Sequence, residues 1–173
     1  MKWEAVNAVS QLVSSVAVVL SLLYLALQVH RSTRIAKIAA QDSAATALRD
    51  VTKPFMEDPD VSRIWQLGLV NLSALSPADQ ARFFHATYQF LKAFETIHFH
   101  YAYRLLDLEL WEGWRELLRH YIVAPGVAEY WEKRQNLFSA RFRQFVNKLE
   151  PPADPFTVGS LLAETPAGQP PAN

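Results

Sequence analysis

From Ala5 to Val29 the chain carries no charged residue, and the run ends against His30, Arg31, Arg34 and Lys37. Such a stretch exceeds the roughly 20 apolar residues a helix needs to cross the hydrocarbon core at about 1.5 Å of rise per residue. It predicts a transmembrane helix over residues 5–29 behind a short N-terminal segment, residues 1–4. A secretory signal peptide would instead want a basic leading segment, a shorter apolar core and paired small residues at a cleavage site. Here Lys2 stands beside Glu4 and the core closes as Leu22-Leu23-Tyr24-Leu25-Ala26-Leu27, so an uncleaved anchor is expected. Arg31, Arg34 and Lys37 follow the span closely while Lys2 alone precedes it, which predicts a periplasmic N-terminus and a cytoplasmic C-terminal part. The same three cations suit contact with anionic lipid headgroups.

Helical periodicity continues after the span. Between His30 and Asp50 there is no Pro or Gly and alanine is frequent, which predicts a helical stalk over residues 30–53. Thr52-Lys53-Pro54 marks the expected break, because the residue before proline avoids the helical region. Such a stalk needs another helix to cover Ile35, Ile38 and Leu48.

Residues 54–150 read as a helical bundle. Asp58-Pro59 offers an N-cap and a first-turn proline to a short helix with Val61, Ile64, Trp65 and Leu69 inward. Ser76-Pro77-Ala78-Asp79 repeats the device for a long helix carrying Phe83, Phe84, Phe90, Phe94 and Tyr101, to about Leu106. Asp107 then caps Leu108 to Val123, which Pro125-Gly126 ends. A segment around Val127 to Leu137 and another after Ser139, with Phe142, Phe145 and Leu149, complete the set. No stretch alternates with strand period, so the fold class is all-α: a transmembrane helix continuing into a stalk, then a small bundle. The proline-rich residues 151–173 are expected to be a disordered tail.

Within the span the small and polar residues are ordered. Asn7, Ser10, Ser14, Ala17, Ser21, Tyr24 and Gln28 recur at alternating three- and four-residue steps, one stripe of a helix. Hydrocarbon gives no reason to gather serines on one face. Helix packing does, because small residues let backbones approach and hydroxyls bond across the interface. The opposite face, with Val9, Leu12, Val16, Val19, Leu20, Leu23 and Leu27, suits lipid. The partners expected are therefore the bilayer and other transmembrane helices, in a homo-oligomer or a membrane complex.

Charge narrows the remaining classes. With 17 basic and 17 acidic residues the formal net charge is zero, which leaves no field to draw nucleic acid. The chain holds no cysteine, so it offers no disulfide, thiol nucleophile or thiolate metal site.

Candidate chemistry is sparse, and no cofactor is expected. Glu95 and His98 stand three apart, the Glu-x-x-His unit of di-iron carboxylate bundles, and Glu116 and His120 stand four apart on the next helix. Antiparallel packing of the two helices would bring these four candidate metal ligands close. The di-iron pattern, however, needs two Glu-x-x-His units and two further glutamates, and the chain has one such unit. His98 and His100 point to different helix faces. Asp107, Glu109 and Glu112 are acids where a helix N-terminus favours them. Gly68, Gly113 and Gly126 are isolated and make no phosphate loop. Trp111, Trp114 and Trp131 are expected in the core. Ala26 and His30 have the Ala-x-x-x-His spacing of antenna polypeptides that ligate bacteriochlorophyll, but at the end of a span His30 is read as a headgroup contact rather than a cofactor ligand.

Several short motifs occur in a fixed order: Trp3-Glu4-Ala5-Val6, Tyr24-Leu25-Ala26-Leu27-Gln28-Val29 with Arg31 and Thr33-Arg34, Asp58-Pro59-Asp60 with Arg63-Ile64-Trp65, Leu75-Ser76-Pro77 with Arg82-Phe83, and Leu110-Trp111-Glu112-Gly113-Trp114. In these, up to about Glu150, the chain resembles small bacterial single-pass membrane proteins of unknown function. That resemblance implies one N-terminal span in the inner membrane and a cytoplasmic helical domain, and implies no activity. Two function classes follow. The leading one is a non-enzymatic membrane-anchored protein, self-associating or an accessory subunit of a larger inner-membrane complex. The alternative is a membrane-tethered metal-binding bundle using Glu95, His98, Glu116 and His120.

Overall fold

The computed structural model describes residues 2–153, with side chains at Trp3, at Gln11 and from Ser14 onward. Among the described residues six α-helices follow one another: α1 Lys2–Glu57, α2 Pro59–Val70, α3 Pro77–Ala102, α4 Leu108–Ile122, α5 Pro125–Arg134 and α6 Ala140–Val146. Short 3-10 turns at Leu72–Ala74 and Gln135–Leu137 join α2 to α3 and α5 to α6. Among the described residues there is no strand. An all-α chain with a long apolar N-terminal helix before a small bundle is what the sequence patterning predicts.

Two compact units divide the chain, and the second begins at Gln41. In the first, α1 carries a window long and apolar enough to cross a membrane, none of it buried.

The second unit opens earlier than the proline signal indicates. Ala44 and Leu48 are buried in the bundle core, and Ala47, Val51 and Phe55 pack against it, whereas Ile35 and Ile38 are exposed. Residues 41–57 are therefore a helix of the bundle rather than part of a stalk. Pro54 does not break α1, which continues to Glu57. The reason is tertiary: Phe55 stacks on Trp65 of α2 with ring centroids 4.6 Å apart and planes 11° from parallel. A stacked pair contributes about 0.5–1.5 kcal/mol beyond its burial and holds the last turn in place past the proline.

Local signals set most helix starts. The Asp58 carboxylate accepts from the N–H groups of Asp60 and Val61, and Pro59 takes the first-turn position. Ser76 accepts from the Asp79 N–H at 3.2 Å ahead of Pro77. Ser139 does the same for α6 through the Phe142 N–H. Pro125 opens α5 instead of only closing α4, since a proline needs no N–H at a first turn. Asp107 precedes α4 without a side-chain capping bond, and its Oδ2 accepts from Gln41 Nε2 at 3.1 Å instead.

The end of α3 departs most from expectation. It stops at Ala102, short of Leu106, in a Schellman motif. Leu105 N–H donates to the His100 carbonyl at 2.9 Å and Arg104 N–H to the Tyr101 carbonyl at 2.9 Å. Arg104 sits in the left-handed region at φ 59°. No glycine marks this turn, so periodicity alone runs on to the buried Leu106.

Around α3 the core is aromatic. Phe83, Phe90, Phe94, Leu91, Ile97, Leu118, Val127 and Phe142 have essentially no exposed surface. Thr87, buried among them, donates its hydroxyl to the Phe83 carbonyl at 2.8 Å, which satisfies the donor inside its own helix. Two of the isolated glycines sit at close approaches, Gly126 where α5 crosses α2 and Gly68 where α3 packs on α2. A Cβ on Gly126 would collide with the carbonyl of Gly68, and one on Gly68 would fall 2.6 Å from Phe83 Cε2.

Described residues of the expected tail are ordered at its start: Pro152 is buried and the Pro151 carbonyl accepts from Arg119 Nη2 at 3.1 Å. The expectation of disorder for residues 154–173 lies outside the described residues.

Candidate functional site

The small-residue stripe on α1 is open along its described length. Ser14, Ala17, Ser21, Tyr24 and Gln28 are exposed, and so are Val16, Val19, Leu20, Leu23 and Leu27 on the opposite face. Asn7 and Ser10 lie outside the residues whose side chains are described. Ser21 Oγ donates to the Ala17 carbonyl at 2.8 Å, and Ser15 Oγ to the Gln11 carbonyl at 2.8 Å. The Ser21 donor is thus spent within the helix, so what it presents to a neighbour is small size and an acceptor lone pair. After the apolar stretch, His30, Arg31 and Arg34 are exposed and Lys37 is half-buried.

The four candidate metal ligands do not converge. Among the described residues no three His, Cys, Asp or Glu side chains gather in a metal-holding group. Each pair has local work to do. Glu95 Oε1 accepts from the Ser139 backbone N–H at 2.6 Å and its Oε2 from Lys92 Nζ at 2.6 Å, while Lys92 also donates to the Leu137 carbonyl at 3.1 Å. Lys92 and Glu95 together clamp the start of α6 onto α3. Burial pushes the Glu95 carboxyl up, but the bonds from Lys92 and Ser139 outweigh it and hold the group below its usual range.

His98 is 8% exposed and lies flat against Phe145, with centroids 4.5 Å apart and planes 18° from parallel. Trp111 and Phe142 close the same aromatic nest at 5.6 and 5.7 Å. Burial lowers the His98 pKa, the Arg141 charge lowers it further, and Glu95 partly opposes both. Burial thus disfavours the charged ring, which packs as a core aromatic. Beside it, Glu95, Thr96, Phe99, Ser139 and Arg141 line an open cleft of about 370 Å³. On α4, Glu116 is shared between Arg119 Nη1 at 2.5 Å and His120 Nε2 at 3.5 Å.

Three tryptophans fall where the apolar pattern predicts. Trp111 and Trp131 are buried in the core and Trp114 packs against it. Trp131 Nε1 finds Asn147 Oδ1 at 2.8 Å. Glu109 and Glu112 are exposed on the first turns of α4, consistent with the helix dipole.

Two assemblies escape sequence reading. Asp60, Arg63, Asp79 and Arg82 form one charge network, exposed but for the half-buried Asp79, joining the N-terminal turns of α2 and α3, with Arg63 to Asp60 at 2.6 Å and Arg82 to Asp60 at 3.3 Å. Its members sit in or beside the Asp58-Pro59-Asp60 and Ser76-Pro77 motifs, and only the fold makes them neighbours. Arg115, Arg119 and Lys148 line a polar cleft of about 340 Å³ with Phe145, Leu149 and Glu150. The i, i+4 spacing on α4 hinted at half of it, but Lys148 arrives from beyond α6. No protein family, no curated protein and no solved structure matches this chain.

Proposed function

We propose that the chain is a non-enzymatic, membrane-anchored helical protein whose N-terminal helix spans the bacterial inner membrane, with the N-terminus periplasmic and the bundle cytoplasmic. In this reading the span associates laterally with other transmembrane helices, in copies of the same chain or as an accessory subunit of a larger complex. The observation that carries it is that none of the apolar window of α1 is buried. A core helix of equal hydropathy would be covered by its own fold, and leaving such a surface in water is far costlier than placing it in hydrocarbon. The same helix runs on unbroken to residues that pack the bundle core, which favours a retained segment over a cleaved leader. For the seam, the support is the stripe of Ser14, Ala17, Ser21, Tyr24 and Gln28, with close backbone approach as its mode of contact.

The test has two parts. A cytoplasm-active reporter fused after Glu150 should be active and a periplasm-active one silent; the reverse would refute the orientation. Ser14→Leu with Ala17→Leu should weaken association in mild detergent, whereas Val16→Leu with Val19→Leu should not. Equal effects from both pairs would dismiss the seam.

A further inference from the structure

We infer that the cleft between α4 and the segment following α6 is a binding site for a phosphate-bearing small molecule or headgroup, held by Arg115 and Lys148. The inference concerns the bundle alone and does not depend on where the N-terminal helix sits. On α4, Arg115 and Arg119 are one turn apart and share a face. Arg119 is fully engaged: Nη1 on Glu116 at 2.5 Å, Nε on the Glu150 carbonyl at 2.8 Å and Nη2 on the Pro151 carbonyl at 3.1 Å. Those bonds tie the post-α6 segment across the face of α4 and fix the walls.

Arg115 differs from Arg119. Its Nε is buried and has no acceptor among the described residues. A guanidinium stays charged, and this one lines the cleft with no ion pair among the described residues, so an anionic acceptor in the cleft is the partner that charge calls for. Lys148 is exposed, lines the same cleft and makes no ion pair among the described residues. Phe145 and Leu149 supply the apolar part of the lining, and Glu150 offsets a single charge. A planar donor fork beside a mobile ammonium suits the oxygens of a phosphate group. A volume near 340 Å³ lies in the small-ligand range, enough for a phosphate and a glycerol-sized body.

The experiment uses the full chain in maltoside micelles, which carry no phosphate of their own, at ionic strength fixed with chloride. One arm titrates glycerol 3-phosphate; the other dopes the micelles with phosphatidylglycerol. Protection against thermal unfolding is expected in at least one arm, the first identifying a soluble phosphate and the second a lipid headgroup. Arg115→Gln and Lys148→Gln should each raise the apparent Kd about ten- to a hundredfold, from the loss of one charge-assisted bond. Glu150→Gln should lower it, and Lys53→Gln should leave it unchanged. Lys148 is exposed, so its variant keeps the test decisive should Arg115→Gln unfold. Protection in neither arm, or protection that both substitutions leave intact, overturns the proposal.

Discussion

Replacing Gly126 with alanine tests the packing of the bundle more sharply than any change in its aromatic core. The added Cβ would lie against the Gly68 carbonyl oxygen and 2.9 Å from the Gly68 carbonyl carbon, so the obstacle is backbone and cannot rotate away. Either α2 and α5 move apart, or α5 tilts and drags Val127, Tyr130 and Trp131 from the core. Overpacking of this kind costs typically 1–3 kcal/mol, against about 0.5–1 kcal/mol gained from the better helix propensity of alanine. The net expectation is a loss of about 1–2 kcal/mol, or a fall in Tm of roughly 4–10 °C for a domain of this size. Gly113 is the matched control: it is helical, and a Cβ there meets nothing within 4 Å. Gly113→Ala should stabilise by about 0.5–1 kcal/mol. Thermal unfolding of both variants in the same detergent, followed by circular dichroism, decides the matter. Gly126→Ala at or above wild-type stability, or the same loss in both variants, would refute the close crossing.

Glu95→Gln should cost about 1–3 kcal/mol by weakening two charge-assisted bonds, and amide exchange should then rise first at the α6 end; uniform exchange across the bundle would argue against a clamp. Because the folded His98 pKa lies below its unfolded value, the unfolded state binds the extra proton first as pH falls below about 6.5, and stability drops from there toward the folded pKa. His98→Phe should flatten that decline below about pH 6.5 in a denaturant series, and an unchanged slope would place its cause elsewhere. Glu95, also lowered, contributes its loss only below its ordinary range near pH 4.5. Arg104→Gly should raise stability by about 1 kcal/mol by relieving the left-handed backbone, and a loss would mean that the Arg104 side chain matters more than its φ. Leu48→Ala should cost about 2–5 kcal/mol while Ile38→Ala on the same helix changes little, since the first is buried and the second is 57% exposed.

What was legible in the sequence were features with local causes. Asp58-Pro59 and Ser76-Pro77 announce helix starts because capping side chains and proline act within one turn, and they do so here. The inward positions Ile64, Trp65, Leu69, Phe83, Phe90, Phe94 and Phe142 follow from a 3.6-residue period. The failures are places where a distant partner overrides a local rule. Pro54 reads as a break until Trp65 is known to wait for Phe55. Arg104 does the work of a glycine in ending α3, a substitution no pattern announces. Glu95 and His98 do share a face, but their partners Ser139 and Phe145 arrive from α6, and these turn a metal-like spacing into a clamp and a core ring. Gly68 and Gly126 look isolated in one dimension and meet only in three.

The lateness of α6 has a consequence for how the bundle is made. Seven residues long and last of the described helices, it delivers Phe142, which has no exposed surface, against rings contributed by α3 and α5. At about 5–20 residues per second, roughly two to nine seconds separate the synthesis of His98 from that of Phe142. Throughout that interval the nascent chain carries an uncovered aromatic flank on α3, the kind of surface that chaperones grip and proteases find. A chain cut short before Ser139 would keep its first helix and most of its aromatic residues and still have nothing to close over them. Quality control that senses this flank would therefore distinguish chains with α6 from chains without it by a helix of two turns.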